Sequence, residues 1–196
     1  MRRARGGFSL IELMVVVAII AVTLVFTAPS FRAWLNDSRI RSATESIQNG
    51  LRVARNEASQ RGNNVRLELT SATTGSWQVC QLDPSDTTCG GAKSPVFDSR
   101  AGTETGLTVA ASTDTAKQAA GTLSTALTGG VPAGITYNAL GRPSSFGADS
   151  VGRIDIYGSA LSGRRLVVLV SAGGMVRVCD PTTTLASTDA QSCGTN

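Results

Sequence analysis

One apolar run dominates the hydrophobic pattern of this chain. Residues Leu13 to Ala28 are apolar apart from Thr23 and Thr27, and the run extended back to Phe8 covers 21 residues. That is about 31 Å of α-helix at 1.5 Å per residue, enough to span a bilayer core of about 30 Å. A single ionisable residue, Glu12, interrupts it. After Pro29 the pattern changes. From Ser30 to Gln60 there is no further proline and one glycine, Gly50, while Ala43, Ile47, Leu51, Ala54 and Ala58 recur at spacings of three and four. This is one face of an amphipathic helix, and the stripe is suited to docking a C-terminal body. Arg39, Arg41, Arg52 and Arg55 fall largely off the stripe. They read as a solvated face or, alternatively, as a charged surface toward neighbouring copies. The helix is expected to continue past Pro29 with a kink or loosening there and to stop at Gly62.

Beyond Gly62 the period switches to two. Alternation and β-branching predict strands at Val65–Leu69, Trp77–Leu82, Leu107–Ala110, Gly134–Asn138, Arg153–Tyr157, Leu166–Val170 and Met175–Cys179. Val-Arg-Leu-Glu-Leu alternates as a half-buried antiparallel strand should. Leu-Val-Val-Leu-Val is apolar throughout and reads as a central strand, joined by Ala172-Gly173-Gly174 to the next as a tight hairpin. The Ala/Ser/Thr/Gly stretch from Ala110 to Gly130 reads as an exposed loop or an irregular edge. The fold class is therefore α+β, a long N-terminal helix packed on an antiparallel β-rich domain. Its divisions are residues 1–7, a leader; 8–29, a membrane-spanning helix; 30–62, an amphipathic helix; and 63–196, a β-rich body.

Charge alters this picture little once the leader is set apart. Arg2, Arg3 and Arg5 supply three of the 18 basic residues, so removing the leader leaves 15 against 14 acidic ones. A nearly neutral chain exerts no long-range pull on a polyanion. Histidine is absent, which removes the commonest general base and zinc ligand and with them any Ser/His/Asp triad or Cys/His pair. Asp149 and Asp155 are the nearest thing to paired carboxylates, and with no base or cofactor motif beside them they read as surface aspartates. No enzyme and no cofactor is expected. The four cysteines fall in two local pairs, Cys80 with Cys89 and Cys179 with Cys193, each around a turn-rich segment. Three connectivities are open, with local disulfides the expectation and zinc the alternative. Disulfides would place the body outside the cytoplasm.

The N-terminal junction is more specific. Glu12 reads either as a headgroup-level residue or as the partner of a neighbouring subunit's amine, since a carboxylate in lipid is costly unless paired. An ordinary secretory signal competes, but it needs an A-x-A-like site, and the nearest small stretch, Thr27-Ala28-Pro29, fits poorly. Arg5-Gly6-Gly7 followed by Phe8-Ser9-Leu10-Ile11-Glu12-Leu13 resembles the signal of type IV prepilins. The resemblance implies that a prepilin peptidase cuts between Gly7 and Phe8 and methylates Phe8. It also implies that Glu12 and Phe8 act in filament assembly and that Pro29 is the proline that commonly kinks the pilin helix.

Further on, Leu51, Ala54, Arg55, Glu57 and Ala58 resemble the helix end of the GspH/FimT family of minor pilins and pseudopilins, as does the strand entry at Val65. Gly141-Arg142-Pro143 and the final hairpin are similar to it more loosely, and residues 90–130 match nothing in it. Membership implies a FimT/FimU-like minor pilin that primes or caps a type IV pilus, or alternatively an H pseudopilin of a type II secretion system. The partners implied are other pilins, the prepilin peptidase and the inner membrane, with the body first in the periplasm and then on the pilus. A third implication is DNA uptake. The family's G-R-x-R motif falls on Gly174, Met175, Val176 and Arg177, with methionine in place of the first arginine. Arg164, Arg165 and Arg177 are the candidate phosphate contacts, which at three phosphates predicts weak binding; the alternative is exposed strand-end arginines that aid solubility.

Overall fold

The computed structural model describes residues 9–103, 105–113, 133–144, 150–158, 164–181 and 193, excepting the side chains of 25–29. Helix α1 spans Leu10–Arg61, including Pro29. Its residues divide between two compact units, residues 1–36 and Asp37–Asn196.

In the first unit the apolar side chains from Leu10 to Leu24 stand exposed. Thr23 donates its hydroxyl to the Ile20 carbonyl at 2.9 Å, which keeps a polar group satisfied inside the run. Among the described residues no helix is long and apolar enough to cross a membrane.

In the second unit the helical stripe is buried as its spacing requires. Ala43, Ile47, Leu51, Ala54 and Ala58 are at most 4% exposed, and Ile40 extends the stripe by one turn. Their partners come from both sheets, among them Leu67, Leu69, Ile135, Ile154, Ile156 and Val168. Burying each large aliphatic side chain is worth roughly 1.5–3 kcal/mol. Gly50 marks a close approach of helix to sheet, because a Cβ there would lie 2.9 Å from both Leu67 and Trp77. Trp77 in turn donates its indole N–H to Ser46 at 2.9 Å. The helix ends where Gly62 turns to φ 67° and donates its N–H to the Ala58 carbonyl at 3.0 Å.

Among the described residues eight strands form two antiparallel sheets. β1 (Val65–Leu69), β2 (Trp77–Gln81), β3 (Val96–Arg100) and β5 (Ala133–Tyr137) make the first, in the order β3-β2-β1-β5. β4 (Leu107–Ser112), β6 (Arg153–Gly158), β7 (Arg165–Val170) and β8 (Val176–Cys179) make the second, in the order β4-β6-β7-β8. Backbone bonds from Val109 to Ala72 at 2.7 Å and from Val151 to Gly134 at 3.2 Å stitch the two sheets together.

Several expectations need correction. β3 was not foreseen; it is an edge strand, exposed at four of its five positions, so it carries no alternation. Its Phe97 lies under the Arg61 guanidinium, 4.4 Å from the ring centroid. β4 continues through Ser112, so the first part of the presumed loop from Ala110 is strand; residues 114–132 lie outside the description. β1 is not half-buried, because Glu68 is fully buried as well. Arg66 donates to it at 2.7 Å and Gln78 at 3.1 Å, so the polar face of this interior strand is covered by its own ion pair.

Candidate functional site

Three regions bear on function: the exposed N-terminal helix, the end of the body where two turns meet Arg55, and the arginines around the closing hairpin. In the first, Glu12 lies in the first turn of α1 and is exposed, with Ile11 70%, Leu13 62% and Met14 64% exposed beside it. The Leu13 N–H reaches back to the Ser9 carbonyl at 3.2 Å. A carboxylate here is favoured by the positive end of the helix dipole. Among the described residues its helix neighbours are otherwise apolar and exposed. Gly7 and Phe8 lie outside the described residues.

The second region corrects the reading of Arg55 as a member of a solvated or filament-facing set. Arg39, Arg41 and Arg52 are exposed, but Arg55 is half-buried. Its Nε donates to the Gly141 carbonyl at 3.2 Å and its Nη2 to the Gly173 carbonyl at 3.5 Å. Gly141 closes the turn after β5 and Gly173 lies in the β7–β8 hairpin, so one side chain ties the helix to one turn from each sheet. The turns meet so closely that a Cβ on Gly174, at φ 78°, would come within 2.0 Å of the Gly141 oxygen. Buried beside this junction, Tyr137 has its phenol pushed well above its ordinary pKa by desolvation, against the opposing charge of Arg55. Nothing in the sequence pattern alone distinguishes Arg55 from its exposed neighbours; only its place in the Leu-x-x-Ala-Arg-x-Glu-Ala stretch does.

The third region separates the three candidate DNA contacts. Arg177 is exposed on β8, opposite Leu169. Arg164 pairs with Asp180 at 3.2 Å. Arg165 is not a surface arginine: it is 6% exposed, and its Nε lies 3.9 Å from Asp155. Burial lowers its pKa, with Asp155 opposing that shift. Consecutive strand residues face opposite sides, and both faces of β7 are covered, so Arg165 is buried on the face opposite to core residues Leu166, Val168 and Val170. Asp155 is likewise not a surface aspartate; it is fully buried and accepts from Arg153 at 3.0 Å. Asp149 lies outside the described residues. The three arginines therefore form no single cationic face.

Cys80 is bonded to Cys89 and Cys179 to Cys193. Within the first loop Asp83 accepts from the Ser85 hydroxyl and backbone at 2.6 and 2.9 Å, and Asp86 accepts from Ser94, just beyond the loop, at 2.7 Å. The Ser85 bonds hold the Asp83 carboxyl below its ordinary pKa. Among the described residues no group of three or more His, Cys, Asp or Glu side chains is placed to hold a metal ion. A cavity of about 510 Å³ at the hairpin end is lined mainly by apolar atoms of Leu169, Val170, Met175 and Val176, with Arg177 at its edge.

Two family models match the chain. Residues 2–28 match the prokaryotic N-terminal methylation motif, and residues 43–174 match the type II transport protein GspH. No curated protein matches the sequence. Among solved structures, the type IV minor pilin FimU of Pseudomonas aeruginosa is similar at 13% identity, covering 78% of this chain and 99% of that one, with a TM-score of 0.50. The minor pseudopilin EpsH of the Vibrio cholerae type 2 secretion system is similar at 14% identity, over 74% of this chain and 98% of that one, with a TM-score of 0.47. At these identities the likeness to FimU concerns the fold.

Proposed function

Since the chain belongs to the GspH family, we propose that it is a FimT/FimU-like minor pilin that enters a type IV pilus and primes or caps it. The observation that carries this reading is the union, in one chain, of a body of that family with an N-terminal methylation motif. The apolar side chains following that motif stand exposed around Glu12. In this reading a prepilin peptidase cuts between Gly7 and Phe8 and methylates Phe8. The helix then spans the inner membrane once, leader inside and body in the periplasm, before the subunit moves to the pilus. The sequence supports the span: its 21 residues from Phe8 to Ala28 reach about 31 Å, and the arginine leader follows the positive-inside rule. In the filament, helices of other pilins replace lipid around the apolar run. A neighbour's N-terminal amine matches the Glu12 carboxylate and fixes the register. The role is structural, with no catalytic step. Mass spectrometry of the mature N-terminus tests the processing: methylated Phe8 is expected, and a chain starting beyond Ala28 contradicts the pilin reading.

A pseudopilin of a type II secretion system is the second reading, favoured by the description of the matched family itself. The two disulfide loops incline the assignment to the pilus. A deletion strain separates them, losing surface pili in the first case and protein secretion in the second. DNA is at most a weak ligand in either case. Support comes from Arg165 lying inside the body and Arg164 lying against Asp180, which leaves Arg177 alone exposed of the three. One phosphate contact gives shallow affinity that salt removes. A tight mobility shift at physiological salt, lost with Arg177→Ala, would overturn that.

A further inference from the structure

We propose that Phe31 and Trp34 form an interfacial anchor that seats α1 in the headgroup layer on the outer side of the membrane. The inference rests on the membrane reading above and adds where the helix stops sinking. Phe31 is 58% and Trp34 63% exposed. Three residues apart, they share a helix face. Their rings stack with centroids 5.9 Å apart and planes inclined by 26°. Phe97, another exposed aromatic, has Arg61 over its ring; among the described residues Phe31 and Trp34 have only each other as ring partners. Leaving two large rings in water on one helix face is unfavourable unless something covers them.

Position selects the cover. Counted from Leu10, the first helical residue, helical rise puts Phe31 about 32 Å and Trp34 about 36 Å along the axis. The hydrocarbon core is about 30 Å thick and the bilayer with its headgroups about 40–45 Å. With Leu10 at the inner boundary of the core, both rings fall in the outer interfacial layer. An indole, apolar in body with one N–H donor, is enriched there. The sequence agrees on either side: the apolar run ends at Ala28, and after Leu35 the chain turns polar with Asn36, Asp37, Ser38 and Arg39. A face meant for a neighbouring helix would carry the apolar spacing onward, whereas past Leu35 this one turns polar at Ser38, Arg41 and Ser42.

Fluorescence of the full chain in phosphatidylcholine–phosphatidylglycerol vesicles tests the proposal. The lipids carry bromine either high on the acyl chains or near their ends. Trp77, buried at 4% exposure, gives a background that is removed by subtracting the spectrum of Trp34→Phe, a variant that keeps an aromatic ring. Flotation of both proteins with the vesicles reports insertion separately. The expected result is insertion of both and stronger quenching of the Trp34 emission by the high bromines than by the deep ones. The proposal is overturned by the reverse order. It is also overturned by an inserted chain whose Trp34 is quenched by neither lipid: blue-shifted emission would then mean a protein neighbour covers the ring, and red-shifted emission that it stands in water. A chain that does not float contradicts the membrane reading and this anchor with it.

Discussion

Two stretches of α1 use apolar residues in opposite ways. From Ile40 to Ala58 they form a stripe, and every member of it is buried under the two sheets. From Leu10 to Leu24 they occupy all sides, and the large ones stand 47% to 76% exposed. A stripe can be covered by one partner surface, whereas a helix apolar all round needs cover on every side. The body meets its requirement from its own chain. Among the described residues the N-terminal stretch does not, and in the proposed reading its cover comes from lipid or other subunits. Folding and assembly are therefore assigned to different residues of one helix, and substitutions should separate them.

The sharpest break in this comparison is a matched pair of truncations. Leu51→Ala opens a cavity between helix and sheets, and should cost the body about 2–5 kcal/mol, read as a lower midpoint in chemical denaturation. Val17→Ala, in the exposed stretch, should leave that midpoint unchanged. A large effect from Val17→Ala would mean the body uses the N-terminal stretch for its own stability.

Next in size are the disulfides. Removing the Cys80–Cys89 bond, which closes a loop of sequence separation 9, should destabilise the body by about 2–3 kcal/mol. The double variant Cys80→Ser with Cys89→Ser, compared with wild type under non-reducing conditions, measures it. Insertion of the N-terminal stretch into membranes should not change.

Smaller again is the Arg55 junction. Arg55→Met keeps most of the side-chain stem but removes donors to Gly141 and Gly173. The carbonyl of buried Gly141 would lose a partner, at about 1–3 kcal/mol, while that of exposed Gly173 can turn to water. Arg52→Met, four-square on the exposed face, should be neutral in the same thermal melt. Equal effects from the two would remove the distinction drawn between Arg55 and its neighbours.

The helical stripe was legible because period 3.6 survives in the sequence wherever one face is buried. β7 was legible because Leu-Val-Val-Leu-Val is covered on both sides. That same cover extends to Arg165, and reading the strand one residue further back would have placed this arginine inside. Its partner carried a signal too. Arg153 and Asp155, like Arg66 and Glu68, are opposite charges two apart in a strand, hence on one face, and both pairs are buried or nearly so. Such spacing marks a self-satisfied polar face under cover. β3 was illegible for the opposite reason: exposed at nearly every position, it had no pattern to read. The meeting of Gly141, Gly173 and Arg55 was legible only in pieces, since no local rule brings together residues separated by 86 and 118 positions.

The central claim is that the exposed N-terminal stretch serves assembly through Glu12 while the body folds without it. Incorporation of Glu12→Ala into filaments measures this most directly, read as the fraction of subunit co-purifying with its filament partners. Circular dichroism of the body beginning at Ser30 serves as the folding control. The account predicts a wild-type, folded body and a Glu12→Ala subunit that is blocked from filaments or enters them much more slowly. Incorporation of Glu12→Ala at the wild-type level would contradict it.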